Sequence, residues 1–211
     1  MTTVAAGTAL RRFEGRRLVV ATHNAGKVAE MTALFAPMGI DLVTAATLGL
    51  PEPEETEATF EGNARIKALA AAVATGCVAL ADDSGIEVDA LGGLPGVRTA
   101  DWAIVPGGRD FTVAMARVHD DLIARQAPEP WTARFRCCLA LAWPDGHVEV
   151  AAGCVEGRVV WPMRGPAGHG FDPIFVPDGR SVTFAEMLPE DKNAISHRAV
   201  AFERLLRRCF T

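Results

Sequence analysis

Apolar residues fall in two rhythms along this chain, and each rhythm predicts a different kind of element. Val28, Met31, Leu34, Phe35 and Met38 recur at three- and four-residue spacing, which predicts a helix over 26–37. The same rhythm predicts helices over 61–75, 109–125 and 195–208. Gly76 stops the second of these, and the last carries Ile195, Val200, Phe202, Leu205 and Leu206. The other rhythm belongs to strands. Leu18–Ala21 and Val78–Ala81 are short apolar runs, and Phe135, Cys137, Leu139 and Leu141 alternate within the stretch from Arg134 to Trp143. The turn Pro144-Asp145-Gly146-His147 predicts a hairpin that returns through Val148 to Cys154, followed by a strand over 157–161 and another at Pro173–Val176. Early strands alternate with helices while later ones follow each other directly, so the sheet should be mixed and the class α/β.

The most informative junction lies between the first strand and the first helix, at Thr22-His23-Asn24-Ala25-Gly26-Lys27. Strand, glycine loop, lysine and helix together form a phosphate-holding order. The helix N-terminus offers unpaired N–H groups with a partial positive charge, and Lys27 adds a full one. A Walker A loop is excluded, because that pattern needs glycine at Ala21 and a hydroxyl at Val28. Val28 has no oxygen for a magnesium ion, so any metal must be held elsewhere.

Acidic residues supply candidates for that role. The run Val78–Ala81 leads into Asp82-Asp83-Ser84-Gly85, read as two carboxylates at a strand end followed by a small turn. Magnesium prefers such hard oxygen ligands together with retained waters. Taken alone, the tetrad also fits an ordinary turn. Glu52, Glu54, Glu55 and Glu57 form a second acidic run, which by itself fits a solvated segment. Near the C-terminus stand Lys192 and Ser196-His197-Arg198, which in isolation read as surface charges and a helix-surface histidine. Upstream of them, Gly165–Phe175 carries glycines that let a ligand approach the backbone. There His169 or Phe171 could stack on a ring and Asp172 could orient a partner, or the stretch could be an ordinary loop.

In this order and spacing the clusters resemble the inosine triphosphate pyrophosphatase family. The resemblance rests on Thr22–Lys27, Glu55–Phe60, Ala81–Gly85, Leu91–Val97, Gly170–Phe175 and Lys192–Arg198, and it covers the chain from about residue 17 onward. Three positions depart from the family pattern. Gly62 stands where a glutamate usually precedes the asparagine, Glu57 stands where glycine is common, and His169 replaces an aromatic residue on the presumed base-stacking surface.

The resemblance implies an elongated mixed sheet flanked by helices, with two lobes, a central cleft and a homodimeric assembly. It implies hydrolysis of non-standard purine nucleoside triphosphates (ITP, dITP, XTP) to the monophosphate and pyrophosphate. Magnesium would be bound by Glu55 and Asp83, with Asp83 also the proton acceptor and Asp82 either a second ligand or a hydrogen-bond anchor. Substrate contacts carry over to Thr22, His23, Asn24, Ala25, Gly26, Lys27, Ser84, His169, Gly170, Phe171, Asp172, Lys192, His197 and Arg198. Selection would rest on donors facing the C6 oxygen of the base, from backbone N–H groups or from Lys192, His197 and Arg198. Two other readings stay open at this point: a related pyrophosphatase for modified pyrimidine nucleotides, and a nucleotide-sensing module without catalysis.

Composition narrows the picture further. The chain has 211 residues, enough for one domain with a full core, and its net charge of −5 argues against a general nucleic-acid binder. No apolar run reaches the roughly 20 residues of a membrane span. Five cysteines without Cys-x-x-Cys spacing read as reduced thiols of a cytoplasmic protein. A single catalytic domain is expected over 17–211. Residues 1–16, with Arg11, Arg12 and Arg16 against Glu14, read as a loosely ordered extension rather than a signal peptide.

Overall fold

The computed structural model describes residues 10–210. Its first elements are β1 (Arg17–Val20), α1 (Ala25–Phe35), β2 (Asp41–Thr44), α2 (Phe60–Thr75) and β3 (Ala79–Val88). A small ribbon, β4 (Ile104–Val105) and β5 (Gly108–Arg109), leads into α3 (Phe111–Ala124). The long pair β6 (Trp131–Ala142) and β7 (Val148–Val159) follows, then β8 (Phe175–Pro177), α4 (Pro189–Ile195) and α5 (His197–Cys209). The main sheet runs β2-β1-β3-β6-β7-β8, parallel on the β1 side of β3 and antiparallel beyond it, so the expected mixed sheet is present.

Alternation of side chains across the strands divides the core. Leu18, Val20, Leu80, Leu139 and Leu141 pack against α1 and α5, while Val19, Ala79, Ala81, Ala140 and Ala142 pack against α2. The α2 contact is made almost wholly of alanines, among them Ala64, Ala68, Ala71 and Ala72, so the helix lies close on the sheet. A third cluster, from Ile86 and Val88 through Trp102, α3, Phe135 and Phe184, fills the other lobe.

Several boundaries differ from the sequence reading, each for a physical reason. Asp82-Asp83-Ser84-Gly85 is not a turn at a strand end but the middle of β3, because β6 pairs with β3 along its whole length from Ala79↔Ala142 to Val88↔Ala133. The strands expected over 148–154 and 157–161 are one strand, zipped to β6 from Ala142↔Val148 to Trp131↔Val159. The expected last helix is two helices, parted at Ser196, whose hydroxyl caps α5 by accepting from the Ala199 N–H at 3.1 Å. Asp110 likewise caps α3, accepting from the Thr112 N–H at 2.8 Å, and starts that helix at Phe111. The strand expected at 173–176 begins only at Phe175, after a 3-10 turn. Of the expected 1–16 extension, residues 1–9 lie outside the described residues. Residues 11–13 are docked: Arg11 pairs with Asp145 at 2.5 Å, and the Phe13 N–H donates to the Cys209 carbonyl at 2.7 Å. No described helix is long and apolar enough to cross a membrane.

Gly153 on β7 sets the seat of α5. A Cβ there would lie 2.1 Å from the His197 carbonyl oxygen and 2.5 Å from the Ala201 nitrogen, both backbone atoms. Gly153→Ala should therefore lift α5 from the sheet and destabilise the protein by about 2 kcal/mol or more. Urea denaturation measures this, and an unchanged midpoint would contradict the packing described.

Candidate functional site

The sheet opens where β1 stops. Pairing of β1 with β3 ends at Val20↔Leu80 and the next bonds on that edge are those of Ile86 to Thr99 and Val88 to Leu94, so from Asp82 to Gly85 one edge of β3 is open and lies at a cleft of about 1330 Å³. Consecutive strand residues face opposite sides of a sheet, and Asp82 and Asp83 therefore meet different partners.

Asp82 turns toward α1 and α5, and its side chain is fully buried. Its Oδ2 accepts from Arg198 Nε at 3.2 Å, Arg198 Nη2 at 3.0 Å and the Cys137 thiol at 3.3 Å, while Lys27 Nζ lies against Oδ1. Burial opposes its ionisation, but Arg198 and Lys27 outweigh that and hold the carboxyl well below the usual range. The same pairing holds the Arg198 guanidinium firmly charged despite burial. Asp82 is thus an anchor for two cations, although its Oδ1, in charge contact with Lys27, accepts no hydrogen bond among the described residues. Glu30 of α1 extends the chain of charges, contacting Arg198 Nη1 and Lys192 Nζ, and Lys192 in turn donates to Asp172 Oδ2 at 2.6 Å. Lys192 and Arg198 are thus buried members of a network and not the surface charges that they resemble in isolation.

Asp83 turns toward α2. Lys67 Nζ donates to Asp83 Oδ1 at 3.0 Å and to Glu55 Oε1 at 2.6 Å. Burial raises the pKa of Asp83, with the Glu55 charge adding to it and Lys67 only partly offsetting. Burial also works against the Lys67 ammonium, yet Asp83, Asp82 and Glu55 prevail and raise its pKa. Asp83 Oδ2 is buried with no hydrogen-bond partner among the described residues. That oxygen and the second oxygen of Glu55 suit a hard divalent ion that keeps several waters or takes substrate oxygens. Among the described residues no three His, Cys, Asp or Glu side chains gather as a fuller metal cage.

The loop between β1 and α1 joins a strand to a helix, as expected. Asn24 caps α1 by accepting from the Lys27 N–H at 3.1 Å, and its carbonyl accepts from the Val28 N–H at 3.0 Å. The Ala25 and Gly26 N–H groups make no bond within the described residues, so the helix start keeps two free donors. Thr22, Asn24 and Lys27 line the cleft with Ser84, His169, Gly170, Phe171, Asp172, Lys192, His197 and Arg198, whereas His23, Ala25, Gly26 and Asp82 do not. The His23 ring instead bonds the Leu50 carbonyl at 2.9 Å.

Phe171 is buried and lies edge-on to Phe111 at 6.0 Å, so its ring is core and not a stacking face. His169 is exposed, packs over Gly26, and donates its N–H to Asp172 Oδ2 at 2.5 Å. His197 stacks on Phe135 at 4.9 Å with its Nδ1 unpaired, and burial followed by the Arg198 charge keeps its ring neutral. Two of the departures from the family pattern meet in space: a Cβ on Gly62 would lie 2.5 Å from the Glu57 Cβ, so glycine makes room for that glutamate. Sequence reasoning missed Lys67, Glu30, Phe111 and Phe135. Lys67 is a cation among buried α2 positions, and that misplacement in an apolar face was the available signal.

A mixed-sheet α/β protein with paired carboxylates on a central strand beside the capped start of a helix is the class that this architecture defines. The chain belongs to the Ham1 family, whose sequence profile matches residues 18–208. It is 60% identical over 200 residues to a dITP/XTP pyrophosphatase of Ruegeria pomeroyi, covering 95% of this chain and 98% of that one. A dITP/XTP pyrophosphatase of Rhodospirillum centenum is 55% identical, with 96% and 99% covered. Among solved structures, a HAM1 protein from Coxiella burnetii superposes with a TM-score of 0.82 at 36% identity, covering 90% of this chain and 96% of that one. The family expected from the six motifs is the family found.

Removing the anchor should be costly. Asp82→Asn leaves Arg198 and Lys27 facing one buried charge fewer, and a loss of about 3–5 kcal/mol is expected at neutral pH. Because the folded pKa of Asp82 is depressed, its contribution is complete above the ordinary value of 3.8 and is lost as pH falls through the lower folded value. The gap between wild type and variant in denaturant titrations should thus be constant near neutrality and close only in strong acid. A gap below 1 kcal/mol at pH 7 would contradict the anchor role.

Proposed function

We propose that the chain hydrolyses ITP, dITP and XTP to the nucleoside monophosphate and pyrophosphate with the help of Mg2+ at Glu55 and Asp83. The observation that carries this reading is the unpartnered Asp83 Oδ2, buried on the floor of the same cleft as Thr22, Asn24 and Lys27. A bound Mg2+ would supply charge neutralisation on the phosphates and a water of lowered pKa. Asp83 accepts the proton of the attacking water at the α-phosphorus. The bond to the bridging oxygen breaks, and pyrophosphate leaves with the electron pair. Lys67 holds Asp83 and Glu55 in place, and Thr22, Asn24 and Lys27, on the cleft wall at the start of α1, receive phosphate oxygens.

Base selection falls to a different wall. Arg198 and Lys192 spend their donors on Asp82, Glu30, Ser84 and Asp172, which leaves the unpaired Nδ1 of neutral His197. As the N–H tautomer it donates to a keto oxygen at C6 and finds no partner on an adenine amino group. Such mismatches give discrimination of roughly 10⁴-fold where the site is built around the hydrogen bond. The working form is a homodimer, carried over from the family resemblance. Cys77, Cys137, Cys138, Cys154 and Cys209 are all free thiols, in keeping with a reducing compartment such as the cytoplasm.

With purified protein and Mg2+, ITP, dITP and XTP should yield pyrophosphate and monophosphate, with ATP and GTP far slower. Asp83→Asn should lower kcat at least ~10²-fold. Orthophosphate as first product, equal rates on ATP, or near-normal turnover in the variant would sink the reading.

A further inference from the structure

The cations around the cleft divide into two kinds. Lys27, Lys67, Lys192 and Arg198 are each matched by carboxylates, as described above. Arg98 and Arg109 also line the cleft, yet both are exposed and their side chains make no ion pair or hydrogen bond among the described residues. Among the described residues no side chain pairs with their charge.

Their backbones are fixed. Arg98 ends the turn Gly96–Arg98, which sits directly on β3: a Cβ on Gly85 would lie 2.3 Å from Thr99 Oγ1 and 2.5 Å from the Gly96 carbonyl oxygen. The Thr99 hydroxyl accepts from the Ile86 N–H at 3.1 Å and donates to the Gly96 carbonyl at 2.5 Å, pinning the turn three residues beyond Asp83 on the same edge. Arg109 is paired with Ile104 in the β4–β5 ribbon, and the next residue, Asp110, caps α3 and donates its N–H to the Ala103 carbonyl at 2.7 Å. The phosphate loop and the Arg98 turn therefore flank Asp83 along a single strand edge.

The charge balance asks for such groups. The empty cleft is also lined by Glu52, Glu54, Glu57 and Asp101, which have no ion-pair partner among the described residues, so the wall is anionic where uncompensated. A nucleoside triphosphate with close to four negative charges meets only two unspent guanidinium groups. Guanidinium forks match phosphate oxygens bidentately and are weakly hydrated, so they suit the distal end of a polyphosphate better than a base edge.

We propose that Arg98 and Arg109 form a subsite for the β- and γ-phosphates, the part of the substrate that leaves as pyrophosphate. This rests on the pyrophosphatase reading. Calorimetric titration of wild type, Arg98→Ala and Arg109→Ala with magnesium pyrophosphate, and separately with IMP, tests it without turnover. Pyrophosphate affinity should fall roughly tenfold in each variant and IMP affinity should stay within twofold, with unchanged melting temperatures because the side chains are exposed and unpaired. Arg98→Lys should recover part of the loss, since it keeps the charge but not the fork. In turnover, kcat/KM for ITP should fall by a similar factor in the alanine variants. Unchanged pyrophosphate affinity, or a loss falling on IMP instead, overturns the subsite. Failure of wild type to release pyrophosphate from any purine triphosphate would instead overturn the activity, and the titrations would still decide whether the arginines bind the anion.

Discussion

A buried chain of alternating charges, Asp172, Lys192, Glu30, Arg198, Asp82 and Lys27, holds this molecule's working parts together. It joins the loop before β8, α4, α1, α5 and β3, elements far apart in sequence. Charges taken out of water are expensive, and a buried pair holds only when every member is answered. Three anions and three cations in series meet that condition. The network therefore works less as a source of stability than as a specification: Lys27 stands at the mouth of the phosphate loop because Asp82 and Arg198 leave it one place to go.

The second carboxylate of the pair lives under the opposite rule. Asp83 has one oxygen tied to Lys67 and one left bare, and burial raises its pKa where Asp82's is pressed down. Neighbouring acids with opposed shifts are what a site needs when one must hold geometry and the other must exchange a proton. Strand alternation produces the split without further machinery, since it sends one side chain to α1 and α5 and the other to α2.

Much of this was legible in the residues. The three- and four-residue spacing of Val28, Met31, Leu34 and Phe35 placed α1, and Thr22–Lys27 marked the loop and cap at its start. Asp82-Asp83-Ser84-Gly85 misled, because its residue types favour turns while pairing with Cys138, Cys137 and Arg136 across β6 imposes a strand. Gly157 read as the start of a separate strand and is instead, within one long strand, a close-approach point for β8, as Gly153 is for α5. Phe171 read as a stacking ring and is core, since local sequence does not say which way a loop aromatic turns. Lys67 and Glu30 stayed hidden because each sits in a helix whose periodicity explains its neighbours, and only the tertiary fold supplies their partners. The pairing of Asp82 with Arg198 was likewise invisible until Arg198, more than a hundred residues on, came to rest against it.

The central claim is that β3 sets a water, through Asp83, against the α-phosphorus. Hydrolysis of ITP in water enriched with heavy oxygen, followed by mass analysis of both products, tests it most directly. The account predicts that the heavy atom enters the nucleoside monophosphate and not the pyrophosphate. Label recovered in pyrophosphate would mean attack at the β-phosphorus and would contradict the role given to the Asp83 edge of the strand.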